Sequence, residues 1–376
     1  MILLLCGNVW AQDGLPVFEW SQPLPVKRSV TAAEYSAPLI FDDHIYVGSS
    51  TEKDLLVLDR VNGTLLDRIP SGATVQGRPV IVDNHIYFAD TSGTVYVYTL
   101  ANYDLLWSKD TGAPILSSLV IDEDQILLSN VDNAVYALSK STGDLVWRYS
   151  HNTDETKIGK LTILGSPSPA VHNQRVYAGF SDGAIVAIDV NSGEQKSARW
   201  LGEGRYPDII SDIFCTDDVI IAAGFEKPII ALDPSLSTEL WRIDAGGSAS
   251  MSASKDILFH AGGDGVLRAL RISSGEEVWS WDSETKAVLT QPILSPIGIS
   301  LGSTVASLYL INPDNGQLIW TYQPNYLLSG VMSSPIVLDD NLYALSNAGN
   351  LLRFKLPKEK PDSLGCWSVF CLWDDQ

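Results

Sequence analysis

Positive charge is scarce in this chain. Its 376 residues carry 25 Lys and Arg against 45 Asp and Glu, a formal net charge of -20 with a pI near 4.5. Such a surface repels a phosphate backbone and offers it no counterion release, so nucleic acid is excluded as a partner class. Cysteine is scarce as well. The four present include no CxxC, no adjacent pair and no haem-attachment spacing. Metal-site spacings such as HExxH are missing, and the five His are scattered along the chain. The Gly-rich AGGDG at 261–265 lies between two short strand patterns with no helix to follow. It reads as a turn, since a phosphate cradle needs a helix N-terminus. Carboxylates abound without a spacing that sets a catalytic pair apart. No catalytic, metal or cofactor residues are expected, and the chain reads as a non-enzyme.

Long apolar runs are absent too. The N-terminal MILLLCGNVWAQDG is far shorter than the roughly 20 residues that span a bilayer. It resembles the end of an export signal, with Val9-Trp10-Ala11 as the cleavage site, so residues 1–11 are expected to be a signal remnant. Cys6 offers a lipidation site instead, although the bulky Leu5 stands before it. Both readings place the natural start upstream and the mature protein in the periplasm, free or anchored to the outer membrane. Cys366 and Cys371 lie close together in the tail at 357–376, where an oxidising compartment permits a local disulfide. Cys215 is expected to be a buried free thiol.

What the chain has in quantity is apolar residues, at 45%, together with 29 Gly and 11 Trp. That composition marks an ordered protein with many tight turns. The turns repeat. VYAGFSDGAIVAIDVNSGE at 176–194 alternates short β-branched strands with Gly, Asn and Asp turns, and seven further stretches follow the same pattern from residue 45 to residue 356. Trp107, Trp147, Trp200, Trp241, Trp279 and Trp320 mark the strand after successive copies, at a spacing near 40 residues. That length fits four short strands, one blade of a propeller. The last copy lacks a Trp-bearing strand, whereas the N-terminus supplies VFEW with no strands before it. The expectation is an all-β, eight-bladed β-propeller of four-stranded antiparallel blades over 17–356, closed by Val17 to Trp20 in the eighth blade. Recurrent Asp and Gly, as in Asp59 with Gly63 and Asp189 with Gly193, cap turns. His44 and His85 occupy the same hairpin of successive blades.

The period breaks once. Aligning the residue that opens each blade gives Pro38, Pro79, Leu119, Pro169, Ile213, a position near Met251, Pro292 and Pro335. The step from Leu119 to Pro169 is 50 residues, against 41 and 40 before it. The extra residues lie in HNTDETKIGKLTILG at 151–165, and the connection at 202–212 is also long. Both join an outer strand to the next blade's innermost strand, so they should emerge side by side. Loops grafted on a rigid ring carry specificity. Leu161, Ile163 and Leu164 would form an apolar centre for a docking partner, with Asp208 and Asp212 as its charged rim. Alternatively, these loops fold down to cover the ring's own core.

The unit VYxGxxDGxxxAxDxxxGxxxW resembles the pyrroloquinoline-quinone-type propeller repeat over nearly the whole chain. Quinoprotein dehydrogenases of that class are longer and carry an adjacent Cys pair, which this chain lacks. A sharper resemblance lies in LTILGSPSPAV followed by PDIISDI, which is similar to the matching stretch of the BamB-like family of outer-membrane assembly scaffolds. There a Leu-x-Leu-Arg-Gly pattern and a later Asp-x-Asp pattern contact a periplasmic POTRA domain of BamA. Leu161, Ile163 and Gly165 match the first, and Asp212 matches the first Asp of the second. Leu164 replaces the Arg, and Phe214 the second Asp. The resemblance implies a scaffold of the β-barrel assembly machinery that binds a BamA-type POTRA domain, and whose blade edges pair with unfolded outer-membrane protein substrates. A generic envelope adaptor and a quinone-dependent oxidoreductase are the alternatives.

Overall fold

The computed structural model describes residues 15–25, 34–152, 167–201, 206–226, 228–305, 307–323 and 330–358. Among these the secondary structure is all β, in eight antiparallel sheets of four strands. Seven sheets are consecutive in the chain: blades 1 to 7 cover 39–74, 80–110, 120–150, 170–200, 214–243, 252–282 and 293–322. Blade 8 takes three strands from 336–355, and Val17–Pro23 pairs with Asn350–Lys355 to complete it. The eight-bladed, N-terminally closed propeller is therefore the fold.

Blade 4 shows how the sequence builds each sheet. Ala170–His172, Arg175–Gly179, Ala184–Asp189 and Gln195–Trp200 pair in chain order. Its third strand is buried along both faces, which is why AIVAID is a continuous apolar run rather than an alternating one. Those faces pack on neighbouring blades. One core cluster joins Leu127, Val135 and Trp147 of blade 3 to Val176, Val186 and Ile188 of blade 4. Another joins Ile45 and Leu56 of blade 1 to Tyr343 and Leu351 of blade 8. Each fully buried Leu, Ile or Val contributes roughly 1.5–3 kcal/mol, so the ring is held together between blades as much as within them.

The repeated Trp and Gly form a lock across each such boundary. Asp59 Oδ1 accepts from the amides of Val61 at 2.8 Å and Asn62 at 2.9 Å, and Gly63 closes the turn at φ +73. The Trp20 indole lies over that glycine and donates Nε1–H to the Val61 carbonyl at 2.7 Å. The same arrangement joins Trp107 to Gly143, Trp147 to Gly193, Trp241 to Gly275 and Trp279 to Gly316.

Departures from the lock come in matched pairs. Blade 1 has Asp67 where the Trp would stand, and blade 2 has Tyr103 at φ 55 where the Gly would stand. Trp320 faces blade 8, whose last two strands, Asn350–Lys355 and Val17–Pro23, are not consecutive in the chain and so share no such turn, and it packs edge-on against Phe354 at 5.2 Å instead. Trp200 is a correction to the sequence reading. Ser197 occupies the repeat position in blade 4, opposite Ala187, while Trp200 lies three residues on and donates to Asp182 Oδ2 at 3.3 Å. AGGDG is the expected turn, with Gly262 donating to the Val266 carbonyl.

Candidate functional site

The residue preceding each blade's first strand is buried in the core, and the strand starts fix Met251 as the opener of blade 6. One position earlier stand Ala37, Arg78, Ser118, Ser168, Asp212, Ser250, Gln291 and Ser334, all of which line a central cavity of about 1270 Å³. Bonds run round this girdle from blade to blade. The Arg78 amide donates to Ser118 Oγ at 3.1 Å, the Ser168 amide to Asp212 Oδ1 at 2.7 Å, and the Asp212 amide to Ser250 Oγ at 3.2 Å. Two members are charged types, three blades apart. Burial raises the pKa of the Asp212 carboxyl despite its bonds to Ser168 and Ser250. Arg78 keeps contact with solvent along the axis, yet the surrounding wall lowers the pKa of its guanidinium.

The described ends of the two long connections, Pro167 with Ser168 and Ile210 with Asp212, line the same cavity. The first leaves blade 3 at His151, whose Nε2 lies 3.0 Å from Asp182 Oδ2 and whose ring stacks on Phe180 at 4.3 Å. Asp182 is fully buried and also accepts from the Ala184 amide at 3.1 Å. The connection re-enters the described structure at Pro167, and the Ser168 amide then meets Asp212 at the end of the second connection. The bond from Ser168 to Asp212 thus joins the girdle residues at which the two connections end, while 153–166 and 202–205 lie outside the described residues.

Leu161, Ile163 and Leu164 lie outside the described residues, as does Gly165. The charged rim is corrected by what is described. Asp208 is 1% exposed, and its carbonyl accepts from the Phe225 amide at 2.8 Å. Next to it Ile209 is 1% exposed, pressed against Gly179 and donating its amide to the Phe180 carbonyl. This stretch covers the core between blades 4 and 5, so Asp208 cannot serve as a solvated rim. Asp212 turns to the axial cavity. Phe214 packs with the core of blades 5 and 6, so an apolar residue suits its place.

The sequence reading passed over GFSDG at 179–183, whose letters are those of a nucleophile elbow. Here it is a hairpin turn. Ser181 Oγ accepts from Asn133 Nδ2 at 2.8 Å, and the Ser181 amide donates to Asn133 Oδ1 at 3.1 Å. A nucleophile needs its base within hydrogen-bond reach, whereas His151 is committed to Asp182. Arg78 and Gln291 were also passed over. The signal lay in register: a long polar residue at a position otherwise filled by Ser, Ala or Asp.

A family model for "Outer membrane protein assembly factor BamB" matches residues 51–214 and again 201–364. The relative of that name from Legionella pneumophila (strain Paris) is 29% identical over 198 residues, 51% of each chain. The one from Pseudomonas aeruginosa is 21% identical over 209 residues, 54% of each chain. The matched stretch therefore spans about half the length of these relatives. Among solved structures, BamB from Moraxella catarrhalis superposes with a TM-score of 0.76 at 17% identity, covering 91% of this chain and 100% of that one. A quinohemoprotein alcohol dehydrogenase from Pseudomonas putida HK5 superposes at 0.72 with 13% identity, over 94% of this chain and 78% of that one. At such identities the superpositions establish the fold alone.

Proposed function

Because the chain belongs to the BamB family of outer membrane protein assembly factors, we propose that it is a non-enzymatic scaffold of the outer-membrane β-barrel assembly machinery, working in the periplasm at the outer membrane. The connections at 151–165 and 202–212 hold a BamA-type POTRA domain. Leu161, Ile163 and Leu164 supply the apolar contact, and Asp212 sets the position of the second connection. Asp208 supports from beneath, as a buried residue.

The observation that supports this reading is the 2.7 Å bond from Ser168 to Asp212, which joins the residues at which these two connections end beside the axis. A ring with its core between every pair of blades gives the two connections rigid ends, which limits the ordering entropy that binding costs. The blade rims suit unfolded barrel strands. Leu65, Leu66, Leu105, Leu106, Leu145 and Val146 are exposed on the outermost strands of blades 1 to 3, whose backbone edges are open to strand addition.

The test is co-purification with a BamA-type POTRA domain before and after Leu161→Asp plus Ile163→Asp. Capture falls to background if the reading is right; unchanged capture removes the loop from the interface. A different envelope partner is the second reading, favoured by Leu164 and Phe214 standing where the family resemblance expects Arg and Asp. Pull-down from membranes with mass-spectrometric identification separates the two.

A further inference from the structure

Among the described residues, every arginine except one has a side-chain partner. Arg60, Arg68, Arg199, Arg242, Arg268, Arg271 and Arg353 form ion pairs. Arg148 bonds to the Tyr136 hydroxyl and Arg175 to the Pro234 carbonyl. Arg78 is the exception: only its backbone amide is bonded, to Ser118 Oγ. In a chain of net charge -20 this is unexpected, because 45 acidic residues compete for 25 cations.

The backbone around Arg78 is fixed. A Cβ on Gly77 would meet the Ser117 carbonyl oxygen at 2.3 Å, so the chain presses directly on the neighbouring blade. Pro79 then locks φ at the next residue. Arg78 thus springs from a fixed point on the wall of the axial cavity, which Gln76, Ser117, Ser118 and Tyr35 also line. Ser117 Oγ is itself buried without a hydrogen-bond partner among the described residues. The guanidinium is open to the cavity and has no counter-ion among the described residues, so its donors are free for a ligand, while the Ser117 hydroxyl is closed off.

We propose that Arg78, with Gln76 on the same cavity wall, forms a binding site for a carboxylate in the lumen of the ring. The planar fork of a guanidinium matches the two oxygens of a carboxylate. A single cation within a strongly acidic protein balances one negative charge, and a phosphate dianion would bring a second that nothing here neutralises. The ligand is a small carboxylic acid or the C-terminal end of an extended polypeptide, two sources of the same group. It shares the axial cavity with Asp212, three blades away, but does not rest on docking at 151–165 and 202–212.

Isothermal titration of the full chain at low ionic strength tests it, with three probes: hexanoate, N-acetyl-tetraalanine with a free C-terminus, and the same peptide as its C-terminal amide. The free-acid peptide is expected to bind roughly tenfold tighter than the amide, since a charge-assisted hydrogen bond is at stake. Arg78→Gln should erase that preference, Arg78→Lys should keep part of it, and Arg271→Gln, an equal loss of charge at the outer surface, should leave it intact. Hexanoate matching the free acid assigns the site to small carboxylic acids, and a preference for the peptide assigns it to chain ends. Equal binding of acid and amide by the unsubstituted protein, no binding of either acid, or tighter binding of inorganic phosphate would each overturn the proposal, and none of these depends on a variant folding.

Discussion

The indole of Trp147 lies directly over Gly193 of the next blade, with its Nε1 2.8 Å from the Val190 carbonyl and its ring where a glycine Cβ would be, at 2.8 Å. The two residues are 46 apart in sequence and serve one purpose. Asp189 caps the turn through the amides of Asn191 and Ser192, the turn needs positive φ at Gly193, and the missing side chain admits the Trp. The D-x-x-x-G spacing and the Trp period are one interblade device.

Gly193→Ala therefore suffers twice. Positive φ costs an L-residue about 1–2 kcal/mol, and the new methyl must displace Trp147, for about 1–3 kcal/mol more. Gly112 isolates the first cost, since it has φ +86 with nothing within 4 Å of a Cβ. Urea denaturation should show Gly193→Ala to be markedly less stable than Gly112→Ala. Equal midpoints would mean that the Trp is not held tightly.

Closure of the ring gives a second expectation. Phe18 meets Phe354 edge-on at 5.6 Å and stacks on Tyr322 at 5.8 Å, Glu19 pairs with Arg353 at 2.9 Å, and Trp20 bonds into blade 1. Phe18→Ala plus Trp20→Ala should cost about 3 kcal/mol, less than two buried aromatics because both are partly solvated. It should also free the edge of Asn350–Lys355 for intermolecular pairing. Thermal melting with light scattering would detect both, and unchanged scattering would show that the strand is not needed to protect that edge.

The fold was legible because every blade restates it. The exceptions were legible only in part, because a repeat position is defined by pairing and not by residue type. Trp200 lies near the right place and was counted into the period, but its partner is Asp182, and only the pairing of Ser197 with Ala187 reveals the offset. Asp208 read as a surface charge because acidic loop residues usually are. Nothing local tells that Ile209 would dive onto Gly179 and take its neighbour along. Arg78 was hidden for a similar reason: it precedes an ordinary strand-opening proline, and its seat on the axis follows from the ring.

Cys215 should be inert in the folded protein. Burial pushes its thiol pKa up to about 12, leaving almost no thiolate at neutral pH. Alkylation by iodoacetamide, read by mass spectrometry of the peptide containing Cys215, should be negligible without denaturant and complete in urea. Rapid native labelling would mean that the strand Phe214–Cys215 opens readily.

His260 supplies the pH dependence. It is fully buried between blades 5 and 6, at a place filled by Leu128 in blade 3 and Leu301 in blade 7. Burial lowers its pKa to about 4, with Arg268 adding to the effect. The unfolded chain takes up a proton near pH 6.5 and the folded one resists until about pH 4. Stability from this residue is therefore constant above pH 6.5 and is lost as pH falls from 6.5 to 4. The loss approaches about 2 kcal/mol by pH 5. Glu34 and Asp212, whose carboxyl pKa values are raised by burial, act in the opposite sense, so the comparison must be between variants at each pH. His260→Leu should equal or exceed the unsubstituted protein in urea midpoint at pH 7, because it replaces a buried polar ring with the side chain used elsewhere in the ring. Its advantage should widen at pH 5. An advantage that stays constant between the two pH values would show that His260 is not the group that titrates.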